Sequence, residues 1–258
     1  MKRLMIAVVG VAALVLALAG QAGAGLHQAS AQTGNTVTVS GTWTVSHYKA
    51  PGCYSGLGDP QVSDWKSQGT EVNTPITLGT TKSATYGSAS SSIAISGTTI
   101  DIDSAANVHD VLNAAGHWAM GYSEGGANWL LCGATGTATV TASYSYDLSL
   151  VGAKSSAEAL AKVYVAFWGP SSNLLLTAKD GFLQSGNYLV KTVQLTSPGT
   201  STGLVSGSAS WDVSVTSGSY YAFWGQSDAK ASTTPEPATM ALMALGGVGM
   251  LLRRRRNK

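Results

Sequence analysis

From Ala138 to Leu150 the sequence ATVTASYSYDLSL places an apolar or aromatic residue at every even position and Thr, Ser or Asp at every odd one. A period of two sends alternate side chains to opposite faces of an extended chain. One face therefore meets a core and the other meets water, as in an antiparallel strand. VTVSGTWTV (Val37–Val45) and VSGSASWDVSV (Val205–Val215) repeat the signature. Between Ile93 and Asp103 two alternating runs change phase across Gly97-Thr98, which predicts a tight hairpin. Gly186-Asn187, Pro198-Gly199 and Gly218 punctuate further strands. The helical candidates are short, Ala105–Ala115 ended by Gly116 and Ser156–Lys162. The pattern predicts an all-β protein, an antiparallel β-sandwich of jelly-roll or Greek-key type.

A weak internal repeat runs through these strands. Tyr164-Val165-Ala166-Phe167-Trp168-Gly169 matches Tyr220-Tyr221-Ala222-Phe223-Trp224-Gly225. Each copy follows a strand with an aromatic-Asp-aliphatic-Ser-aliphatic run, Tyr146–Leu150 and Trp211–Val215. Two copies at unequal spacing predict two equivalent hairpins within one sandwich rather than a solenoid, which needs at least three repeats.

The two ends follow other rules. Lys2 and Arg3, the apolar stretch Leu4 to Ala19 and then small residues read as a secretory signal peptide. Cleavage fits after Ala31 (Ala29-Ser30-Ala31) or after Ala24 (Ala22-Gly23-Ala24). At the other end Ala238–Leu252 is apolar or small and Arg253, Arg254, Arg255 and Arg256 follow. As a helix this run is about 22 Å long, short for a bilayer core of roughly 30 Å, and snorkelling arginines extend it. Their charge holds this end in the cytoplasm and leaves the folded domain outside. The chain divides into a signal peptide (1–31), a sandwich domain (32–230) and a C-terminal sorting segment (231–258) with a membrane-spanning helix.

The tail resembles the PEP-CTERM sorting signal, on Pro235-Glu236-Pro237, Ala238-Thr239, the apolar run and the terminal arginines. That resemblance implies recognition by an exosortase, a membrane-embedded transpeptidase of Gram-negative bacteria. It further implies cleavage near the Pro-Glu-Pro and delivery to the cell surface or an exopolysaccharide matrix. Domains with this tail are often non-enzymatic β-sandwiches, some carrying an ice-binding label. Signal peptidase and exosortase are the expected processing partners.

The terminal signals also account for the net charge of +2. Residues 32–252 hold eight basic and 13 acidic side chains, a net of −5. The basic footprint of a nucleic-acid binder is absent, and that class drops out.

Cys53 and Cys132 are the only cysteines. In an exported protein an even count favours a disulfide between them. No C-x-x-C or Cys/His cluster supports a metal site, and no cofactor is expected.

Candidate chemistry in the middle of the chain is sparse. Asp101, Asp103, His109, Asp110, His117 and Glu124 form the densest polar stretch. Asp101 and Asp103 share one strand face, a spacing open to a calcium ligand pair or to two catalytic carboxylates, and equally that of a solvated strand. No G-x-S-x-G elbow occurs. Tyr164, Trp168, Tyr220 and Trp224 share parity opposite Phe167 and Phe223, so inward phenylalanines would turn these four outward as a surface for sugar rings. Thr137, Thr139 and Thr141 suggest a hydroxyl-bearing face. The sequence thus points to an exported, non-catalytic surface or matrix protein contacting polysaccharide. The alternatives are a glycan-processing enzyme using Asp101, Asp103 or Glu124, and a binder of ice or mineral surfaces.

Overall fold

A computed structural model describes residues 28–58, 63–109, 117–151, 157–196 and 200–233, and among these every regular element is a strand. One sheet has six strands: β1 (Gln28–Val39), β5 (Ile76–Ala84), β6 (Gly87–Ser96), β7 (Thr99–His109), β9 (Gly136–Val151) and β13 (Val205–Val215). Their spatial order is β13-β9-β1-β7-β6-β5. The larger sheet has eight: β2 (Trp43–Val45), β3 (Tyr48–Gly58), β4 (Ser63–Val72), β8 (Trp118–Cys132), β10 (Ala157–Trp168), β11 (Leu183–Ser185), β12 (Tyr188–Thr196) and β14 (Tyr220–Thr233). It runs β11-β12-β10-β14-β8-β3-β4, with β2 also on β8, and the pairings in both sheets are antiparallel. The sheets lie face to face, β1 and β7 against β14, β6 against β8 and β3.

The period-two segments behave as read. In β9 Val140, Ala142, Leu148 and Leu150 are buried while Thr139, Thr141 and Ser149 turn outward. Gly97-Thr98 joins β6 to β7 with Ser96 opposite Thr99. Gly97 has φ of +56°, the positive value a two-residue hairpin needs at its first position. Gly186-Asn187 closes β11 onto β12 in the same way.

Both helical candidates are corrected over their described residues. Ala105–His109 completes β7, residues 110–116 lie outside the described set, and Ser156–Lys162 becomes the start of β10 from Ala157. Alanine favours helix locally, but Ala106, Ala159 and Ala161 are buried at alternate positions. Their small side chains let the two sheets approach, so tertiary packing overrides propensity. Gly121 marks how close the sheets come: a Cβ there would lie 2.2 Å from the Ser90 carbonyl oxygen and 2.7 Å from that of Ala105.

The interior therefore has two unequal halves. One holds Phe167, Phe223, Phe182, Trp211, Tyr221, Tyr48 and the isoleucines of β6 and β7. The other is mostly alanine with Leu57, Val108, Leu148 and Leu150. Buried polar groups lie in the interior as well, bonded across the sheets: Ser55 to Thr80, Ser104 to the Ser227 carbonyl at 2.9 Å, and Asn35 to the Tyr164 carbonyl at 3.1 Å. Each satisfied bond ties the position of one sheet to the other.

The internal repeat is real but does not form two hairpins. β9 leads to β10, and β13 leads to β14, so each copy passes from the small sheet to the large one. β9 pairs with β13, and β10 with β14, with Phe167 directly opposite Phe223. The copies are thus two antiparallel sheet-to-sheet crossovers.

The expected disulfide is corrected as well. Cys53 and Cys132 are free and buried. Cys53 pairs in register with Ser123, nine residues from Cys132 along the same strand β8, a separation of about 25–30 Å. A bridge requires Cα atoms within about 7 Å.

Candidate functional site

The two outward faces of the sandwich differ in chemistry, and they separate the sequence candidates. The small sheet exposes hydroxyls. Ser210, Thr141, Thr38, Thr99 and Ser96 form one row across five strands by register. Many of these groups engage one another: Thr36 Oγ1 donates to Asp101 at 2.8 Å, Thr139 Oγ1 to Asp212 at 2.7 Å, and Thr141 and Ser210 share a bond of 3.0 Å. Asp101 and Asp103 lie on this face, and burial and then the Asp101 charge push the Asp103 carboxyl up. Glu124 is on β8, facing outward from the other sheet. The three carboxylates suggested for glycan chemistry therefore occupy opposite sides of the sandwich and form no common cleft. Thr137, Thr139 and Thr141 belong to the hydroxyl face. His109 ends β7 and His117 is buried before β8, while Asp110 lies outside the described residues.

The large sheet exposes aromatics. Phe167 and Phe223 are fully buried, and their neighbours Trp168 and Trp224 turn to the outer face. The two indoles come within 6.5 Å between ring centroids, Trp168 lies 5.6 Å from Tyr188, and Tyr188 lies 6.2 Å from Tyr164. Small residues make room for rings to lie along the sheet. A Cβ at Gly126 would sit 2.9 Å from Trp224, and one at Gly52 only 1.7 Å from the ring of Tyr54. Tyr54 in turn meets Tyr122 at 5.4 Å.

At one end of this face a notch of about 370 Å³ opens, lined by Asn128, Trp129, Trp168, Gly169, Pro170, Ser172, Asn187, Tyr220, Tyr221 and Ala222. Three local features build it. A register shift between Tyr221 and Phe223 of β14 against β8 marks an irregularity beside Trp129, which is 60% exposed. A tight turn after β10, with Ser172 N donating to the Gly169 carbonyl at 3.0 Å, supplies one wall. The β11–β12 turn supplies Asn187. Tyr220 is 54% exposed at the start of β14. Of the four aromatics singled out from sequence, Trp168 and Tyr220 line the notch, whereas Tyr164 and Trp224 lie farther along the face, Trp224 largely covered.

Among the described residues no charged side chain lines the notch. Aromatic faces offer stacking surface, and the carboxamides of Asn128 and Asn187 donate and accept hydrogen bonds in fixed directions. That combination suits an uncharged polyhydroxylated ligand. Sequence reasoning missed Trp129, Asn128 and Asn187, because Asn128 and Trp129 belong to a strand whose register slips and Asn187 comes from a distant turn.

Farther along β14, Gln226 and Asp228 share the outward parity of Trp224. Burial pushes the Asp228 carboxyl up to about 6, opposed by a hydrogen bond from Gln226, the charge of Lys162 and a hydrogen bond from Tyr164. Burial pushes the Tyr164 hydroxyl up to about 12. It raises Tyr122 too, assisted by a hydrogen bond to Glu124.

β14 runs from the notch to the alanine-rich end of the interior. Its first residue, Tyr220, borders the notch, and its last, Thr233, is buried at the alanine-rich end, where its N–H donates to the His117 carbonyl at 2.8 Å. Thirteen residues of strand separate them by roughly 40 Å. Residues 233–256 match the PEP-CTERM protein-sorting motif. That match supports a PEP-CTERM domain-containing protein, and the motif implies export and processing by an exosortase. No curated protein and no solved structure matches the chain. Pro235, Glu236, Pro237 and Arg253 to Arg256 lie outside the described residues, as do residues 1–27 of the expected signal peptide.

Proposed function

We propose that this is an exported, non-catalytic protein of the cell surface or extracellular matrix of a Gram-negative bacterium, and that it binds polysaccharide through the aromatic end of its larger sheet. Signal peptidase removes the leader, the C-terminal helix and arginines hold the chain transiently in the inner membrane, and exosortase processes it near Pro235-Glu236-Pro237.

The observation that carries the binding half is the uncharged notch, with Trp129 and Tyr220 exposed at its rim beside Trp168. Large exposed aromatic surface is costly in water and is characteristic of contact sites. Its position supports the reading. The notch lies at the opposite end of β14 from Thr233, where the sorting motif begins, so an anchored domain would present it away from the membrane.

The test is a glycan array and polysaccharide pull-down with the mature protein. Binding that disappears in a Trp129→Ala, Trp168→Ala, Tyr220→Ala variant of unchanged melting temperature supports the reading. Release of new reducing ends during incubation with a bound polysaccharide would contradict the non-catalytic assignment.

A further inference from the structure

Between the notch and the sorting end, the outer face of β14 carries a second, chemically different patch. Asp228 stands opposite Lys162 on β10 and Tyr122 on β8, and Gln226 stands opposite Tyr164 and Glu124. Gln226 Nε2 donates to Asp228 Oδ1 at 3.2 Å. The patch continues the aromatic surface of the notch without a break, through Trp168, Tyr188 and Tyr164. Tyr220 and Asp228 are eight residues apart on one strand, about 25 Å, the reach of an oligosaccharide rather than of a single sugar.

We propose that a glycan chain seated in the notch runs along β14 onto this patch, that Gln226 and Asp228 meet its hydroxyls there, and that the polymer is uncharged. The inference rests on the notch being a glycan site and adds the class of glycan.

Charge is the deciding argument. Among the described residues the notch has no charged lining. In the patch the groups around Asp228 carry both signs: Glu124 on β8, Lys162 on β10 and Lys230 next along β14, with the phenols of Tyr122 and Tyr164 neutral. A uronate polymer would set carboxylates against Glu124 and Asp228. An amine-bearing polymer would meet Lys162 and Lys230. A polymer of either sign thus meets like charge beside opposite charge in this patch, a conflict that a neutral polymer avoids, and a neutral polymer's hydroxyls match the amide of Gln226, the carboxyl of Asp228 and the surrounding phenols.

A neutral ligand has a thermodynamic signature here. Covering Asp228 with uncharged sugar removes water from its carboxyl without supplying a cation, and the protonated carboxyl, which donates to a sugar oxygen, is favoured further. Since this carboxyl is already pushed up to about 6, binding takes up protons as the pH rises through and just above that value.

Isothermal titration of the mature protein with a soluble neutral glucan, at pH 5 and pH 7.5, tests this. The expected affinity is on the order of tenfold higher at pH 5. Asp228→Asn should bind equally at both pH values, while Asp101→Asn on the opposite face keeps the wild-type response. Alginate and partly deacetylated chitin, as uronate and amine probes, should bind more weakly than the glucan at pH 7.5. Tighter binding of either charged polymer, or pH-independent glucan binding by the wild type, would overturn the proposal. If Trp168→Ala with Tyr220→Ala binds like wild type, the notch reading fails as well; if that variant loses binding while the pH response is flat, only the present inference fails.

Discussion

Phe167 and Phe223 stand directly opposite each other on β10 and β14, both with no exposed surface. They are equivalent residues of the two repeat copies, and the strands run antiparallel, so a local two-fold relation passes between them. The same relation brings Trp168 and Trp224 together on the outer face, 6.5 Å apart. One residue pair thus sets both the core and the surface of the large sheet. Truncating either phenylalanine to alanine should cost about 3–5 kcal/mol, measured by urea denaturation. The double variant should cost less than the sum of the single changes, because the two side chains share one cavity.

The thiols give a second expectation. Alkylation under denaturing conditions, followed by peptide mapping, should find Cys53 and Cys132 free in exported protein. In the native state Cys53 should react slowly, since burial raises its thiol and its Sγ lies against Ser123 Oγ at 3.6 Å. Reductant should leave the melting temperature unchanged. Recovery of a Cys53–Cys132 peptide would require strands β3 and β8 to be paired differently.

The N-terminal boundary follows from β1. Its first residues, Gln28–Ala31, pair with β7 on one side and β9 on the other, and Ala29 and Ala31 are buried. Cleavage after Ala31 would remove them and leave the ends of two neighbouring strands unpaired. Of the two sites compatible with the sequence, the one after Ala24 retains the whole strand. Intact-mass measurement of exported protein should therefore place Gly25 first. A secreted chain beginning at Gln32 with undiminished stability would contradict this.

Asp228 should also make stability depend on pH. Its folded carboxyl is raised to about 6 from an ordinary value of 3.8, so the folded chain holds a proton that the unfolded chain releases between those values. The resulting stabilisation is fully present below about pH 4 and is lost as the pH rises through 6. Asp228→Asn should match wild type near pH 4 and exceed it at pH 7.5 by about 1–2 kcal/mol, allowing for the partial exposure of the group. Denaturant titrations at the two pH values check this.

Much of the architecture is written in the period of two along β9, β6, β7 and β13, because each strand buries one face and wets the other. The outward parity of Tyr164, Trp168, Tyr220 and Trp224 was readable from the inward phenylalanines for the same reason. Pairing was not readable. The repeat suggested hairpins, since nothing local tells that β9 and β10 belong to different sheets. The cysteines suggested a bridge, since an even count carries no distance. The alanines of β7 and β10 looked helical because their role, close approach of two backbones, exists only when the second sheet is present. The notch joins residues from β8, two turns and β14, so no stretch of sequence contains it. Gln226 and Asp228, by contrast, could have been found by extending the parity of Trp224 two and four residues onward.

The central claim is that the aromatic end of the large sheet is a glycan-binding surface, and affinity electrophoresis tests it most directly. Mature wild-type protein and the Trp168→Ala, Tyr220→Ala variant would be run in native gels with and without an embedded neutral polysaccharide to which the wild type binds in pull-down. The account expects the polysaccharide to retard the wild type and to leave the variant at its unretarded mobility, with both melting at the same temperature. Equal retardation of the two proteins would contradict it.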